Sequence, residues 1–256
     1  MKATVVGVIP ARYASQRLPA KALVDLLGKT MVQRVYEQAA CATSLNRVVV
    51  ATDDARIASV VNTFGGEVVM TSPDIKTGSD RVAAVAEQIA GDVFVNIQGD
   101  EPLIAPQMID QGVEVLLSDE RAAVGTLAKK IETVEELLNP NVVKVILDAH
   151  QYGIYFSRST IPSVRDEADA RRWLSAFTFL KHIGIYVFRK ESLRKFTSWQ
   201  ETDLERTERL EQLRFLHYGE RIKVGITPFD SIPIDTQEDV VRVLNILKNQ
   251  RSGSSS

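Results

Sequence analysis

Four short apolar runs in the first hundred residues constrain this chain more than anything else in it. "TVVGVI" (4–9), "RVVVAT" (47–52), "EVVM" (67–70) and "VFVNIQ" (93–98) are continuous and rich in β-branched side chains. None alternates apolar with polar, as a strand with one wet face would, so each belongs in a sheet buried on both faces. Helical segments fall between them. Residues 29–42 carry Met31, Val32 and Val35 at helical spacing, and residues 80–90 run from Ser79 as N-cap to Gly91. Strands alternating with helices predict an α/β fold with a mostly parallel central sheet flanked by helices.

The second half is less regular. "NPNVVKVILDAHQYGIYFSRSTIP" predicts two strands around a polar turn at 148–151, and "FLKHIGIYVFRK" predicts another strand. "DLERTERLEQLRFLHYG" reads as one amphipathic helix with Leu204, Leu210, Leu213 and Leu216 inward, and the charged stretch 164–173 as an exposed loop. The last helix, about 237–249, opens on "TQED", a threonine cap with an acid three residues on, and presents Val240, Val241, Leu244 and Leu247. No repeat or low-complexity linker divides the chain. The expectation is one α/β domain over 1–250, elaborated in its second half, with 251–256 a disordered tail or tag remnant.

Several classes drop out. With 31 basic and 33 acidic side chains the formal net charge is −2, which argues against nucleic acid as the main partner. Cys41 is the single cysteine, so no disulfide framework or thiolate metal cluster exists, and His150, His182 and His217 are too scattered to suggest zinc. No apolar run approaches a membrane span. The expectation is a cytoplasmic protein with no membrane partner.

One loop asks for a ligand. Residues 10–21, after the first strand, hold Arg12, Arg17 and Lys21 and no acid. Ligands of open parallel sheets gather at the carboxyl ends of the strands. Cations with flanking amides there suit a triphosphate or pyrophosphate. Neither the G-x-x-x-x-G-K-[ST] nor the G-x-G-x-x-G spacing is present.

"IPARYASQRLPAK", followed in order by "VVVATDD", "GSDRVA", "NIQGDEPLI", "NPNVVKVILD", "YFSRSTIP", "KHIGIY", "LERTERLEQLRFLHYGE" and "IDTQEDV", resembles the 3-deoxy-manno-octulosonate cytidylyltransferase (CMP-Kdo synthetase) family from residue 4 to about 247. The resemblance implies a Rossmann-like nucleotidyltransferase with a mainly CTP-binding part (about 1–120) and a sugar-binding and dimerisation subdomain (about 121–235). It implies transfer of CMP from CTP to Kdo for lipopolysaccharide assembly, by a homodimer. Arg12 and Lys21 match phosphate-binding positions; Ser15 and Arg17 lie in the same loop. Asp100 and Asp235 match carboxylates for Mg2+, a cation that prefers hard oxygen ligands. Gly78, Ser79, Arg81 and Gln98 match elements around cytosine and ribose. On the sugar side the resemblance assigns Arg158 to the Kdo carboxylate, with His182, Tyr186, Glu211 and Gln212 along the chain of hydroxyls. A cytidylyltransferase for 8-amino-Kdo or another acid sugar, and a non-catalytic nucleotide-binding regulator, are the competing readings. The first loop departs from the family's usual R-x-P-G-K-P-L by carrying Ala20 and Ala22. A Cβ at position 20 disfavours positive φ.

Overall fold

The computed structural model describes residues 3–14 and 18–253. The chain divides into two compact units. One contains the residues up to Asp110 and those from Ser231 onward; the other is Gln111–Asp230. Elements are numbered in chain order.

The first unit realises the four apolar runs as β1 (Val5–Ala11), β2 (Arg47–Thr52), β3 (Glu67–Met70) and β4 (Val93–Asn96). Their order is β3-β2-β1-β4 and every pairing is parallel, with Val8 opposite Val49 on one side and Asn96 on the other. Val6, Val8, Val49 and Val50 are fully buried, as continuous apolar strands require. The helices α1 (Met31–Ala40), α2 (Ala55–Thr63) and α3 (Gly78–Gln88) each start on a side-chain cap, from Thr30, Asp54 and Thr77 respectively. The cap of α3 differs from the expected Ser79. Thr77 Oγ1 accepts the Asp80 N–H at 3.1 Å, which places Ser79 inside the first turn. The helix also ends at Gln88, before Gly91.

The helix α4 (Pro106–Leu117) contains the boundary between the units. At the other end of the first unit, α10 (Gln237–Gly253) starts as the "TQED" pattern predicts. The Asp239 amide donates to Thr236 Oγ1 at 3.3 Å, while Asp239 Oδ2 accepts the amides of Asp235 and Thr236, both at 3.0 Å. Val240, Val243 and Leu247 pack with Leu26, Met31 and Ile234. Val241, expected inward, is 52% exposed. The helix backbone continues to Gly253, so residues 251–253 extend it where a tail was expected; 254–256 lie outside the described residues.

In the second unit β5 (Val124–Lys130) pairs parallel with β9 (Ile222–Ile226) and antiparallel with β8 (Leu180–Arg189). The hairpin expected around 148–151 is present as β6 (Lys144–Leu147) and β7 (Gly153–Ser157). The helices α5 (Val134–Leu138), α6 (Trp173–Ala176) and α7 (Lys190–Ser198) complete the unit with two more. Those two replace the single helix predicted over "DLERTERLEQLRFLHYG": α8 (Asp203–Glu208) and α9 (Gln212–His217). Arg209, at φ 52°, breaks the helical backbone between them. Leu210 and Leu213 are buried, but the break leaves Leu204 43% exposed. Part of the expected 164–173 loop is also anchored, because Val164 and Trp173 pack on Ile131, Leu137 and Phe179.

Candidate active site

The first unit gathers its functional side chains at the carboxyl ends of β1, β2 and β4. Lys21, in a single turn of 3-10 helix after the first loop, donates from Nζ to Asp100 Oδ2 at 2.6 Å and to Asp235 Oδ1 at 2.9 Å. Two acids widely separated in sequence thus converge on one cation. Burial alone would lower the Lys21 pKa, but the charges and hydrogen bonds of Asp100 and Asp235 outweigh it and raise the pKa above the ordinary lysine value. Behind Asp100, Glu101 is buried and accepts a hydrogen bond from Ser231 Oγ at 2.6 Å. Burial raises its carboxyl to about 7, against the Ser231 hydrogen bond and with help from the charge of Asp100.

The loop geometry explains two small residues. Gly99 lies so close to β1 that a Cβ there would stand 2.5 Å from the Pro10 carbonyl oxygen. Ala20 takes the left-handed conformation, φ 53° and ψ 31°, despite its Cβ. The site therefore has the backbone turn that glycine would favour, at a cost of about 1 kcal/mol.

A cavity of about 220 Å³ lies beside this turn, lined by Arg12, Lys21, Gln98 and Asp100 among others. Arg12 Nη2 is buried there and has no partner among the described residues. Such a donor carries an unmet hydrogen bond that an anionic ligand satisfies. Arg81 is fully buried: Nη1 donates to Thr71 Oγ1 and lies 3.6 Å from Asp53 Oδ1, while Nε and Nη2 have no partner among the described residues. Its pKa is lowered, first by burial, with Asp53 opposing and Arg12 adding to the shift. Gly78 packs on Asn96, whose side-chain oxygen is also buried without a partner among the described residues, and Ser79 is buried in the first turn of α3. Ser15 and Arg17 lie outside the described residues.

The donor chemistry around Lys21 suits Mg2+. Its ammonium is itself a cation reached by one oxygen from each of two carboxylates. No group of three or more His, Cys, Asp or Glu side chains able to hold a metal occurs among the described residues. A cation held by Asp100 and Asp235 would take its other oxygens from ligand and water, as Mg2+ commonly does.

The second unit brings together most of the expected sugar residues. His182 and Tyr186 lie on β8 with ring centroids 5.2 Å apart, and Tyr186 donates from its hydroxyl to Gln212 Oε1 at 2.9 Å. Burial raises the Tyr186 pKa well above its ordinary value, and the charge of Glu211 adds to the shift. Gln212 is buried, with Nε2 lacking a partner among the described residues. Burial lowers the His182 pKa to about 3, so the ring is neutral at physiological pH. Arg158, expected at the sugar carboxylate, makes main-chain contacts as well. Its Nε, Nη1 and Nη2 donate to the carbonyls of Glu208 (2.7 Å), Pro140 (3.2 Å) and Arg209 (3.4 Å). Three of the five N–H donors of a guanidinium are thus engaged with main chain, and Arg158 anchors the segment before α9.

Sequence reasoning passed over Asp53, Asn96 and Thr126. The first two had a signal, since each is a polar residue at the carboxyl end of an apolar strand. Thr126, in the middle of β5, had none.

Comparison with known proteins bears on this geometry. Residues 6–222 match the profile of a family described as cytidylyltransferase. The chain is 48% identical over 251 residues to a protein of Geotalea uraniireducens named 3-deoxy-manno-octulosonate cytidylyltransferase, covering 95% of this chain and 99% of the relative. A protein of the same name from Geobacter sulfurreducens is 48% identical over 248 residues, with the same coverage. Among solved structures, CMP:2-keto-3-deoxy-manno-octonic acid synthetase complexed with CTP superposes with a TM-score of 0.90 at 36% identity, covering 96% of this chain and 99% of that one.

Proposed function

This chain belongs to the cytidylyltransferase family, and we propose that it transfers CMP from CTP to the anomeric hydroxyl of 3-deoxy-D-manno-octulosonate, releasing pyrophosphate. It is a nucleotidyltransferase. The observation that carries the reading is the convergence of Asp100 and Asp235 on Lys21, beside a cavity into which Arg12 offers an N–H that has no partner among the described residues. That arrangement suits a triphosphate with a hard cation.

The C2 hydroxyl of the sugar attacks the α-phosphorus and loses its proton to water. The new bond joins that oxygen to phosphorus, and the bond between the α-phosphorus and the bridging oxygen of pyrophosphate breaks. No side-chain nucleophile is needed, so the protein contributes positioning and charge. Arg12 and Lys21 balance charge on the leaving pyrophosphate. Mg2+, when bound by Asp100 and Asp235, supplies further positive charge against the phosphate oxygens. Gly78, Ser79, Arg81 and Gln98 seat the nucleoside; Ser15 and Arg17, assigned to the phosphates by the family resemblance, lie outside the described residues. His182, Tyr186, Glu211 and Gln212 bind sugar hydroxyls, and Arg158 can meet the sugar carboxylate only through its two remaining donors.

We place the reaction in the cytoplasm, where it would feed lipopolysaccharide assembly; no helix among the described residues is long and apolar enough to cross a membrane. The proposed assembly is a homodimer, as the family resemblance implies. The apolar residues Ile183, Ile185, Val187 and Phe188 of β8 are buried within the chain itself, so any interface must use other surfaces. A single species of 28.4 kDa in sedimentation at micromolar concentration would rule the dimer out.

The deciding experiment is competition. Limiting enzyme receives CTP, Mg2+ and equal amounts of Kdo, 8-amino-Kdo and a sialic acid, and the products are read by mass. Kdo is expected to dominate sialic acid by at least about 100-fold. Preferential CMP-sialic acid formation would overturn the sugar assignment; preference for the amine would change the name of the substrate.

A further inference from the structure

The pairing of β5 with β8 is interrupted beside His182. Thr126 lies opposite Tyr186 but the next residue, Leu127, lies opposite Ile183, so residues 184 and 185 bulge out of the register. Thr126 fills the fault. It is fully buried, and its Oγ1 lies 2.6 Å from the Ile185 carbonyl oxygen, 3.3 Å from that of Ile183 and 2.9 Å from His182 Nε2.

A hydroxyl has one proton to give. A carbonyl oxygen can only accept, so the 2.6 Å contact with Ile185 is favourable only if Thr126 donates to it. Were the proton aimed at His182 instead, lone pairs of Thr126 and Ile185 would face each other in a buried site. The hydroxyl proton therefore goes to Ile185, and the remaining hydrogen bond must run from His182 Nε2–H to Thr126 Oγ1. The other ring nitrogen then carries the lone pair. Among the described residues nothing donates a hydrogen bond to it. Phe156, edge-on at 5.1 Å, and Tyr186 at 5.2 Å hold the ring in place.

We propose that Thr126 is a positioning residue that locks His182 in its Nε2–H tautomer, so that Nδ1 accepts a hydrogen bond from a hydroxyl of the sugar substrate. The proposal rests on the sugar-site reading above for the identity of the donor, but not for the tautomer. It gives His182 a defined part in the reaction: it orients a hydroxyl and takes no proton, because a ring this weakly basic accepts a hydrogen bond without being protonated. It also makes specificity directional. A sugar with hydrogen, or a hydrogen-bond acceptor, in place of that hydroxyl leaves Nδ1 unmet.

Nitrogen-15 correlation spectra of the full-length enzyme test this directly, since only three histidines contribute signals. His182→Gln assigns the resonance by its loss. The wild-type spectrum is expected to show Nε2 protonated and Nδ1 bare. Thr126→Ser, which keeps the hydroxyl, should retain that pattern and the sugar KM. Thr126→Val, which keeps the shape, should lose the single tautomer and raise the sugar KM about tenfold with the CTP KM unchanged. A protonated Nδ1 in the wild-type enzyme overturns the proposal whatever the variants do. So does a Thr126→Val enzyme with wild-type spectrum and sugar KM. If the spectra behave as expected but His182→Gln leaves the sugar KM untouched, the tautomer lock stands and its assignment to the sugar falls.

Discussion

The Ile234 amide donates to the Asp100 carbonyl oxygen at 2.9 Å, stitching the segment before α10 to the loop after β4. Through this main-chain bond Asp235 reaches the same ammonium as Asp100. The carboxylate pair is thus held by backbone on both sides, and its side chains can be altered without dismantling the fold.

Asp100→Asn and Asp235→Asn should therefore remain folded while losing turnover. Replacing a carboxylate that binds a catalytic cation is expected to cost about a thousandfold or more in rate. Pyrophosphate release over a Mg2+ titration checks this, together with complete loss of activity in chelator. A near-normal rate in Asp100→Asn would remove the metal from the mechanism.

Lys21→Ala separates the two substrates. With Lys21 proposed for the phosphate side, its loss should raise the CTP KM by about 10- to 100-fold and leave the sugar KM nearly unchanged. Steady-state kinetics with each substrate varied in turn are sufficient. An effect confined to the sugar KM would reverse the polarity assigned to the loop.

Ala20 is the strained position of that loop. Ala→Gly at ordinary backbone angles costs roughly 0.5–1 kcal/mol. At φ 53° relief of strain should cancel that cost, so Ala20→Gly is expected to be neutral or to stabilise by up to about 1 kcal/mol. Ala20→Val should destabilise. Urea midpoints of the two variants give the sign.

His182 ties stability to pH. Its folded pKa of about 3 lies below the ordinary 6.5. Between those values the unfolded chain binds the proton and the folded chain does not, so lowering pH through this window favours unfolding. The slope is at most about 1.4 kcal/mol per pH unit. The stability of wild type minus that of His182→Gln should stay level above pH 6.5 and fall below it. A flat difference down to pH 4 would show that the folded ring protonates normally.

The buried pair Glu205 and Arg214 tests the second unit. Arg214 Nε and Nη2 meet Glu205 Oε2 and Oε1 at 2.7 and 2.5 Å, and the guanidinium lies 4.0 Å from the Phe196 ring centroid. Glu205→Ala strands a buried cation and should cost about 3–5 kcal/mol in chemical denaturation. A loss below 1 kcal/mol would mean that water reaches Arg214 when its partner is removed.

By itself the sequence determined the elements whose signal is local. β1 to β4 are continuous apolar runs that only a doubly covered sheet can bury, and the cap of α10 is written in four adjacent residues. The cation loop was legible too, since its charge pattern and its place after β1 need no tertiary knowledge. The family motifs pointed in the same way to the two carboxylates and to the residues proposed for the sugar. Tertiary structure decided what depends on partners remote in sequence. Arg209 splits a helix whose apolar spacing looked unbroken, because hydrophobic periodicity does not reveal one left-handed residue. Arg158 matches its motif, yet donates to three carbonyls that only the fold brings within reach. Thr126 is an ordinary strand residue until the bulge in β8 places two carbonyls and a histidine around its single proton. Periodicity and motif record which residues are present; the direction of a hydrogen bond is set by which acceptors surround a donor, and that is a property of the folded chain.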